Sequence, residues 1–569
     1  MGPEPPAWHP AAAAPRPLPA RARAVILLFL CVCVGGGAGP PAWASGPVRG
    51  VSLRPYSLEL PGPPAAVIAA DLDGDHRTDL IVVVDVSEWT QKEFQDSSQM
   101  SQVKGLLDAM TIIPAIDERR EVRVFLARPE GGYRALPPLA LPLSVLAMEA
   151  GPPGAPILAL TDEGVSALRL GPGDRLHLEP LIADPPVLAG TGNFISKLGL
   201  VHDLDGDGIP DLLLPARDGL TVYLGTAAGL STKPAARLRL PGEAYTSADG
   251  LRHSYPLPHI ADVDGDGRPD LVFQDPEHGW ERAWVIRNAG GGHFLPAVEI
   301  KLAAVSGHPG ERAGKARRRH AERPVFFGDV DGDGVAELVT SQSLDGEANG
   351  VRAEIRQANE PLHRYRFYHL DRELRIAGKP YLTLDAKGYA FEGAELAGGL
   401  QDLNGDHRLD FLTVTLDLSL WKAMRVLVTK NLTVTVDFHV WCQAQDGSFR
   451  PVTGLDLAGR FRFNLNDLKM NQLAFFAGDF DGDGRADFVQ LGRGKEVSIH
   501  LGRPDCSFPS RPDATLQLRS EPKDVALVQV RDLDGDGRAD LMIVEPRPAA
   551  EPGLSPPVRL DLYLSGGRP

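Results

Sequence analysis

The chain has 569 residues, 43% of them apolar and 24% charged, with a formal net charge of −16. It is too apolar for a disordered chain and long enough for several domains or one large repeat domain. The acidic balance argues against nucleic acid and anionic lipid as partners.

Residues 1–44 read as a secretory signal. Arg16, Arg21 and Arg23 precede the apolar run Ala24 to Val34, and Ala42-Trp43-Ala44 supplies a small-x-small exit. Eleven apolar residues are too few for a transmembrane helix, which needs about 20. Cleavage after Ala44 would leave a secreted, periplasmic or surface protein with no spanning segment; a retained anchor, or a lipid on Cys31 or Cys33, is the weaker alternative. After cleavage only Cys442 and Cys506 remain, and one disulfide or two buried thiols both suit them.

From residue 45 onward one nonapeptide recurs seven times, beginning with DLDGDHRTD at Asp71 and ending with DLDGDGRAD at Asp532. The seven copies hold 27 of the 75 acidic residues, and seven divalent ions would bring the net charge to about −2. A short apolar segment precedes the copies and ends in a small residue in four of them, as in VIAA before Asp71 or VFFG before Asp329. An apolar β-branched run such as LIVVV at Leu80 follows, and then an alternating strand such as LTVYLG at Leu220. Short alternating runs with Gly and Pro punctuation are strand signals, and this unit repeated around a ring is a propeller blade.

The first aspartates are 132, 59, 67, 73, 77 and 53 residues apart. Val145 to Gly171, inside the first and longest gap, keeps the strand pattern without the acids. It reads as an eighth, metal-free unit. The expected fold is therefore all-β, a seven- or eight-bladed β-propeller with eight favoured. Residues 87–113 are expected to be an inserted segment and 306–324 a basic loop. The long alternation Leu416 to Cys442 is expected to form a hairpin reaching beyond its blade.

Oxygen donors on a short glycine-bearing turn suit Ca²⁺. Place 1 is Asp71, Asp203, Asp262, Asp329, Asp402, Asp479 and Asp532. Place 3 is Asp73, Asp205, Asp264, Asp331, Asn404, Asp481 and Asp534. Place 5 is Asp75, Asp207, Asp266, Asp333, Asp406, Asp483 and Asp536. Place 9 is Asp79, Asp211, Asp270, Glu337, Asp410, Asp487 and Asp540. Backbone carbonyls at place 7 (Arg77, Ile209, Arg268, Val335, Arg408, Arg485 and Arg538) would add a fifth contact. Glycine at place 6 allows a left-handed backbone; His76 and His407 replace it in two loops, which should bind more weakly. Place 12 is Val82, Leu214, Phe273, Thr340, Thr413, Gln490 or Ile543, never the Glu that an EF-hand needs.

Tandem DxDGDGxxDL after a small-residue strand end resembles the FG-GAP/VCBS repeat family, which includes the N-terminal propeller of integrin α subunits. Phe327-Gly328 ahead of Asp329 is the fullest match to the family's Phe-Gly. The resemblance implies up to seven Ca²⁺ ions bracing the blades, with ligands met by other loops on a face of the disc. The expected function is a binding or adhesion scaffold for an extracellular or envelope protein or glycan, with no nucleic-acid partner. The alternative is a calcium-dependent polysaccharide lyase or hydrolase, for which His308, His320, His363 and His369 are the candidates near inserted loops. No GxSxG, HExxH or phosphate-loop motif accompanies them.

Overall fold

The structure is a computed structural model. It describes residues 51–87, 117–150, 156–186, 194, 199–239, 245–300, 322–391, 399–419, 431–464, 473–522, 528–546 and 557–566, apart from gaps of up to five residues inside these ranges.

The described strands form eight antiparallel sheets of four or five strands, one per repeat, and two short hairpins. Blades one to seven span residues 64–141, 145–182, 201–239, 259–300, 323–387, 400–464 and 473–517. Blade eight takes three strands from residues 528–566, and its fourth is Ser52–Leu60, paired from Ser52 with Gly566 to Leu60 with Val558. The two ends of the domain thus share one sheet and close the ring. The unit without acids, expected at 145–171, is blade two, with a fourth strand Arg175–Ile182 that continues it.

Why the second strands read as unbroken apolar runs is now plain. In blade one, Leu80, Val82 and Val84 pack against Met542, Leu560 and Leu562 of blade eight, while Ile81 and Val83 pack against Val145, Met148 and Ile157 of blade two. Alternate side chains of a strand point to opposite faces, so a strand between two neighbours is apolar on both. Eight apolar clusters are described, each shared by two consecutive blades. Burial of one such side chain stabilises by about 1.5–3 kcal/mol. The core is therefore a ring of interfaces.

Strand direction alternates within each blade, which sorts the connections onto two faces. First-to-second and third-to-fourth connections lie on one face, hereafter the loop face. Second-to-third connections and the crossings between blades leave from the other. The helix Val351–Asn359 lies in a second-to-third connection, tied down by Asn359 Nδ2 donating to the Leu418 carbonyl (2.7 Å) and by Tyr389 Oη donating to that of Ala358 (2.8 Å). No described helix is long and apolar enough to cross a membrane.

Three expected boundaries change. Ser87 ends the strand Asp79–Ser87, and the rest of the expected insertion, with the signal segment, lies outside the described residues. The basic loop stops before the strand Arg323–Gly328, which takes in Pro324; its residues 306–321 are outside the described set. The strand Asn431–Gln443 pairs with Leu416 only through Val436, and its first half instead pairs with Ala458–Asn464, from Asn431 with Asn464 to Asp437 with Ala458. The extension of blade six is thus paired with the chain that follows the strand, and residues 420–430 lie outside the described residues.

Candidate metal centres

Each acidic nonapeptide joins the first strand of its blade to the second, so all seven lie on the loop face. Place 1 organises the turn. Its carboxylate accepts the N–H groups of places 4 and 6 at 2.6–3.0 Å in every copy, as from Gly535 and Gly537 to Asp532. Place 5 accepts the N–H of place 7 at 2.8–3.1 Å. Arg77, Arg268, Arg408 and Arg485 also turn their guanidinium groups back onto the place 5 carboxylate.

These contacts require the left-handed region twice. Place 6 has φ between 65° and 88°, with His76 and His407 both at 65°, as the sequence requires there. Place 4 is left-handed as well, at 73° to 80°, and its glycine is present in all seven copies.

Place 9 has a second role that the sequence did not disclose. Its side chain is buried in every copy. In six loops one oxygen accepts the N–H of place 2, and the other accepts an N–H at the end of the third strand or just past it, from Ala127, Gly225, Asn288, Gln443, Gly502 or Ser565, at 2.6–3.1 Å. One carboxylate thus ties the loop to its own blade. The donors are backbone groups and carry no sequence signal.

Burial is the first cause of raised place 9 pKa values. It pushes Asp79, Asp270 and Asp410 up to about 6 and Glu337, Asp487 and Asp540 to about 8, against the opposing pull of the N–H bonds. Asp534 at place 3 rises to about 7, from burial and then from Asp536. Asp264 Oδ1, Glu337 Oε1 and Asp481 Oδ1 are buried without a hydrogen-bond partner. Places 1, 3 and 9 bring ligand atoms within 4.8 Å of one another in loops one, three and four, close enough to hold a metal ion.

Consecutive loops also touch. The place 8 N–H donates to a carbonyl of the preceding loop: Ala336 to Asp262 (2.9 Å), Leu409 to Val330 (2.9 Å), Ala486 to Leu403 (3.1 Å) and Ala539 to Asp479 (2.9 Å). Gln443 Nε2 adds a bond to Val330 (3.2 Å), and Asn288 Nδ2 reaches the Leu204 carbonyl. Gly535 of blade eight abuts Thr78 of blade one. Cys442 and Cys506 form a disulfide joining blades six and seven, with Cα atoms 5.7 Å apart.

The model of the FG-GAP-like repeat matches residues 203–273, 262–340 and 479–543, which run through blades three to five and seven to eight. The chain is an FG-GAP repeat β-propeller. No curated protein matches it. Among solved structures it is similar to an Agrocybe aegerita lectin, described by its specific recognition of non-reducing terminal N-acetylglucosamine, at 18% identity over 65% of this chain and 78% of the lectin, with a TM-score of 0.35. A candidate 6-phosphogluconolactonase of Bacteroides fragilis aligns at 11% identity over 73% and 93% of the two chains, TM-score 0.25. A functionally unknown Desulfotomaculum acetoxidans protein aligns at 9% over 70% and 95%, TM-score 0.21. None of these likenesses indicates what this FG-GAP propeller binds.

Of the four histidines considered for catalysis, the two that are described do not converge. His308 and His320 lie outside the described residues. His363 is buried, its Nδ1 3.2 Å from Ser341 Oγ, at the start of the strand Leu362–Tyr368. His369 follows the other end of that strand, about 20 Å away at 3.3 Å per residue.

Proposed function

We propose that this protein is a secreted or cell-envelope recognition scaffold, braced by Ca²⁺ on the loop face and binding a protein or glycan on the opposite face. The observation that carries this is the sorting of connections. All seven acidic turns have nearly one length and sit on one face, whereas the long segments 88–116, 301–321 and 417–430 depart from the other. A rigid closed ring with variable loops on one side is suited to recognition, since loops tolerate the changes in length and sequence that specificity needs.

The donor set supports Ca²⁺ as the brace. Places 1, 3, 5 and 9 supply carboxylates, or Asn404 in loop six, and the place 7 carbonyls can complete the shell. The orphaned oxygens of Asp264 and Asp481 are groups that a cation would satisfy. Bound Ca²⁺ supplies positive charge that offsets carboxylate repulsion; the chain's own N–H groups already hold the turn.

Retention of residues 45–569 on a panel of polysaccharides and cell-surface proteins tests the reading, with Ca²⁺ and then with chelator, assaying for cleavage products. Retention without cleavage, lost when 301–321 is replaced by a short polar linker in a chain that still melts normally, is the expected result. Cleavage, or retention that survives replacement of all three long segments, would overturn it.

A further inference from the structure

Blade five departs from the other acidic blades in two places at once. Its loop alone has Glu, not Asp, at place 9, and the residue just past its third strand is His369. The equivalent residue is Leu126, Leu224, Leu501 or Leu564 in four blades, Arg287 in blade four and the disulfide-bonded Cys442 in blade six. Glu337 is one methylene longer than the aspartates, stays buried, and keeps only one of the two place 9 hydrogen bonds. Oε2 still accepts the Val330 N–H (2.7 Å), but Oε1, buried, has no hydrogen-bond partner.

His369 Nδ1 lies 3.4 Å from that oxygen. This is too long for a good hydrogen bond. It is, however, the separation of two ligands on one tetrahedral ion with bonds of about 2.0–2.1 Å. A carboxylate oxygen of Asp331 completes a group whose ligand atoms all lie within 4.8 Å. The imidazole stacks on Tyr381, with centroids 4.2 Å apart and planes at 17°, which fixes the ring, and about half of the side chain is open to solvent. We infer that His369 joins Asp331 and Glu337 so that this one loop takes, in place of Ca²⁺, a borderline divalent metal of the Zn²⁺ class, on an otherwise oxygen-liganded ring.

The chemistry follows from the donors. Ca²⁺ takes oxygen ligands, whereas imidazole suits Zn²⁺ and its first-row neighbours. Two carboxylates and one neutral imidazole are three protein ligands, leaving a fourth position to water or to a group brought by a partner.

The test is Zn²⁺ titration of residues 45–569 in excess Ca²⁺, followed calorimetrically, with Co²⁺ as an optical probe of nitrogen ligation. The expected result is one Zn²⁺ equivalent, weakened about tenfold or more by His369→Ala, since even outer-shell changes cost about 10–100-fold. Glu337→Asp, which installs the acid found in the other six loops, should also lose the Zn²⁺ equivalent. His369→Ala, which touches no Ca²⁺ ligand of the brace, should keep the Ca²⁺-dependent melting of the parent, and this separates Zn²⁺ uptake from the brace. Equal Zn²⁺ affinity in parent and His369→Ala, or no Zn²⁺ uptake by the parent in Ca²⁺, would overturn the assignment.

Discussion

Asp540 accepts the N–H of Ser565, 25 residues further along the chain, at 2.6 Å, and that of Leu533 at 2.7 Å. Buried as it is, this carboxylate holds its loop to the third strand whether or not a cation is present. Asp540→Ala strands two buried donors, each costing about 1–3 kcal/mol. Urea unfolding should show a loss of several kcal/mol in both Ca²⁺ and chelator. Asp536→Asn, on the exposed rim of the same loop, should matter only in Ca²⁺. Equal calcium dependence of the two variants would refute the division of labour.

The raised carboxylates set the pH response of the calcium-free protein. A carboxyl whose pKa is higher folded than unfolded binds more protons in the native state, so stability falls as pH rises. The contribution is fully present below the unfolded value of 3.8 and is lost as pH climbs through about 6 for Asp79, Asp270 and Asp410 and about 8 for Asp487 and Asp540. In chelator the melting temperature should therefore drop between pH 5 and pH 8.5. With saturating Ca²⁺ the drop should vanish, because the cation favours the ionised form. A calcium-free protein that is most stable at pH 8 would contradict this.

At Gly405, place 4 of the loop in blade six, glycine is demanded twice over. A Cβ on Gly405 would lie 2.5 Å from the Gly484 carbonyl oxygen of the next blade, and φ there is 75°. Gly405→Ala should lower stability by a few kcal/mol, combining strain with a clash against a backbone that cannot yield. At place 6 the opposite change helps. Gly in place of His407, at φ 65° with open exposure, should raise stability by about 0.5–1 kcal/mol, and His76→Gly likewise. Differential melting of the three variants checks both signs.

How far these features could be read beforehand depends on whether side chains or backbone make them. The seven loops and the acid-free blade announced themselves, because DxDGDGxxD and the alternation from Val145 to Gly171 are side-chain patterns. The left-handed backbone at His76 and His407 was legible for the same reason. The closure of Ser52–Leu60 on blade eight, the donors of Ala127 or Gly225 to place 9, and the bonds from one loop to the next are backbone contacts over long separations, which leave no residue signature. Cys442 and Cys506 were open between paired and free, since blades six and seven had to be placed before their Cα atoms could be. His369 stood among candidate histidines, but its neighbour Glu337 lies 32 positions back, and only the strand register brings them together.

The disulfide, with Cys506 buried and Cys442 half-buried against the same apolar cluster, should be a substantial part of the stability. It closes a separation of 64 residues, for which the chain-entropy relation gives about 4 kcal/mol, an upper figure because the oxidised unfolded chain is not ideal. Cys442→Ser together with Cys506→Ser should lower unfolding free energy by about 2–4 kcal/mol, and reductant should do the same to the parent but not to the double variant. A reductant effect on the double variant would point to another cause.

Contact between consecutive loops makes the cations a coupled set. Val330 in loop five accepts both Leu409 and Gln443 of blade six, and Leu403 in loop six accepts Ala486 of blade seven. Disordering one turn therefore removes hydrogen-bond partners from the next. Neutralising loop six alone, by Asp402→Asn with Asp406→Asn, should delete one Ca²⁺ equivalent and weaken Ca²⁺ binding to loops five and seven, while loop one, across the ring, keeps its affinity. Calorimetric titration of parent and variant, with Tb³⁺ luminescence as a second readout, separates the cases. If the variant loses one equivalent and the other affinities do not change, the loops are independent and the contacts between them are only packing. If neighbouring affinities fall, calcium holds the ring as a ring, and partial chelation should melt the propeller over a narrow range of free Ca²⁺.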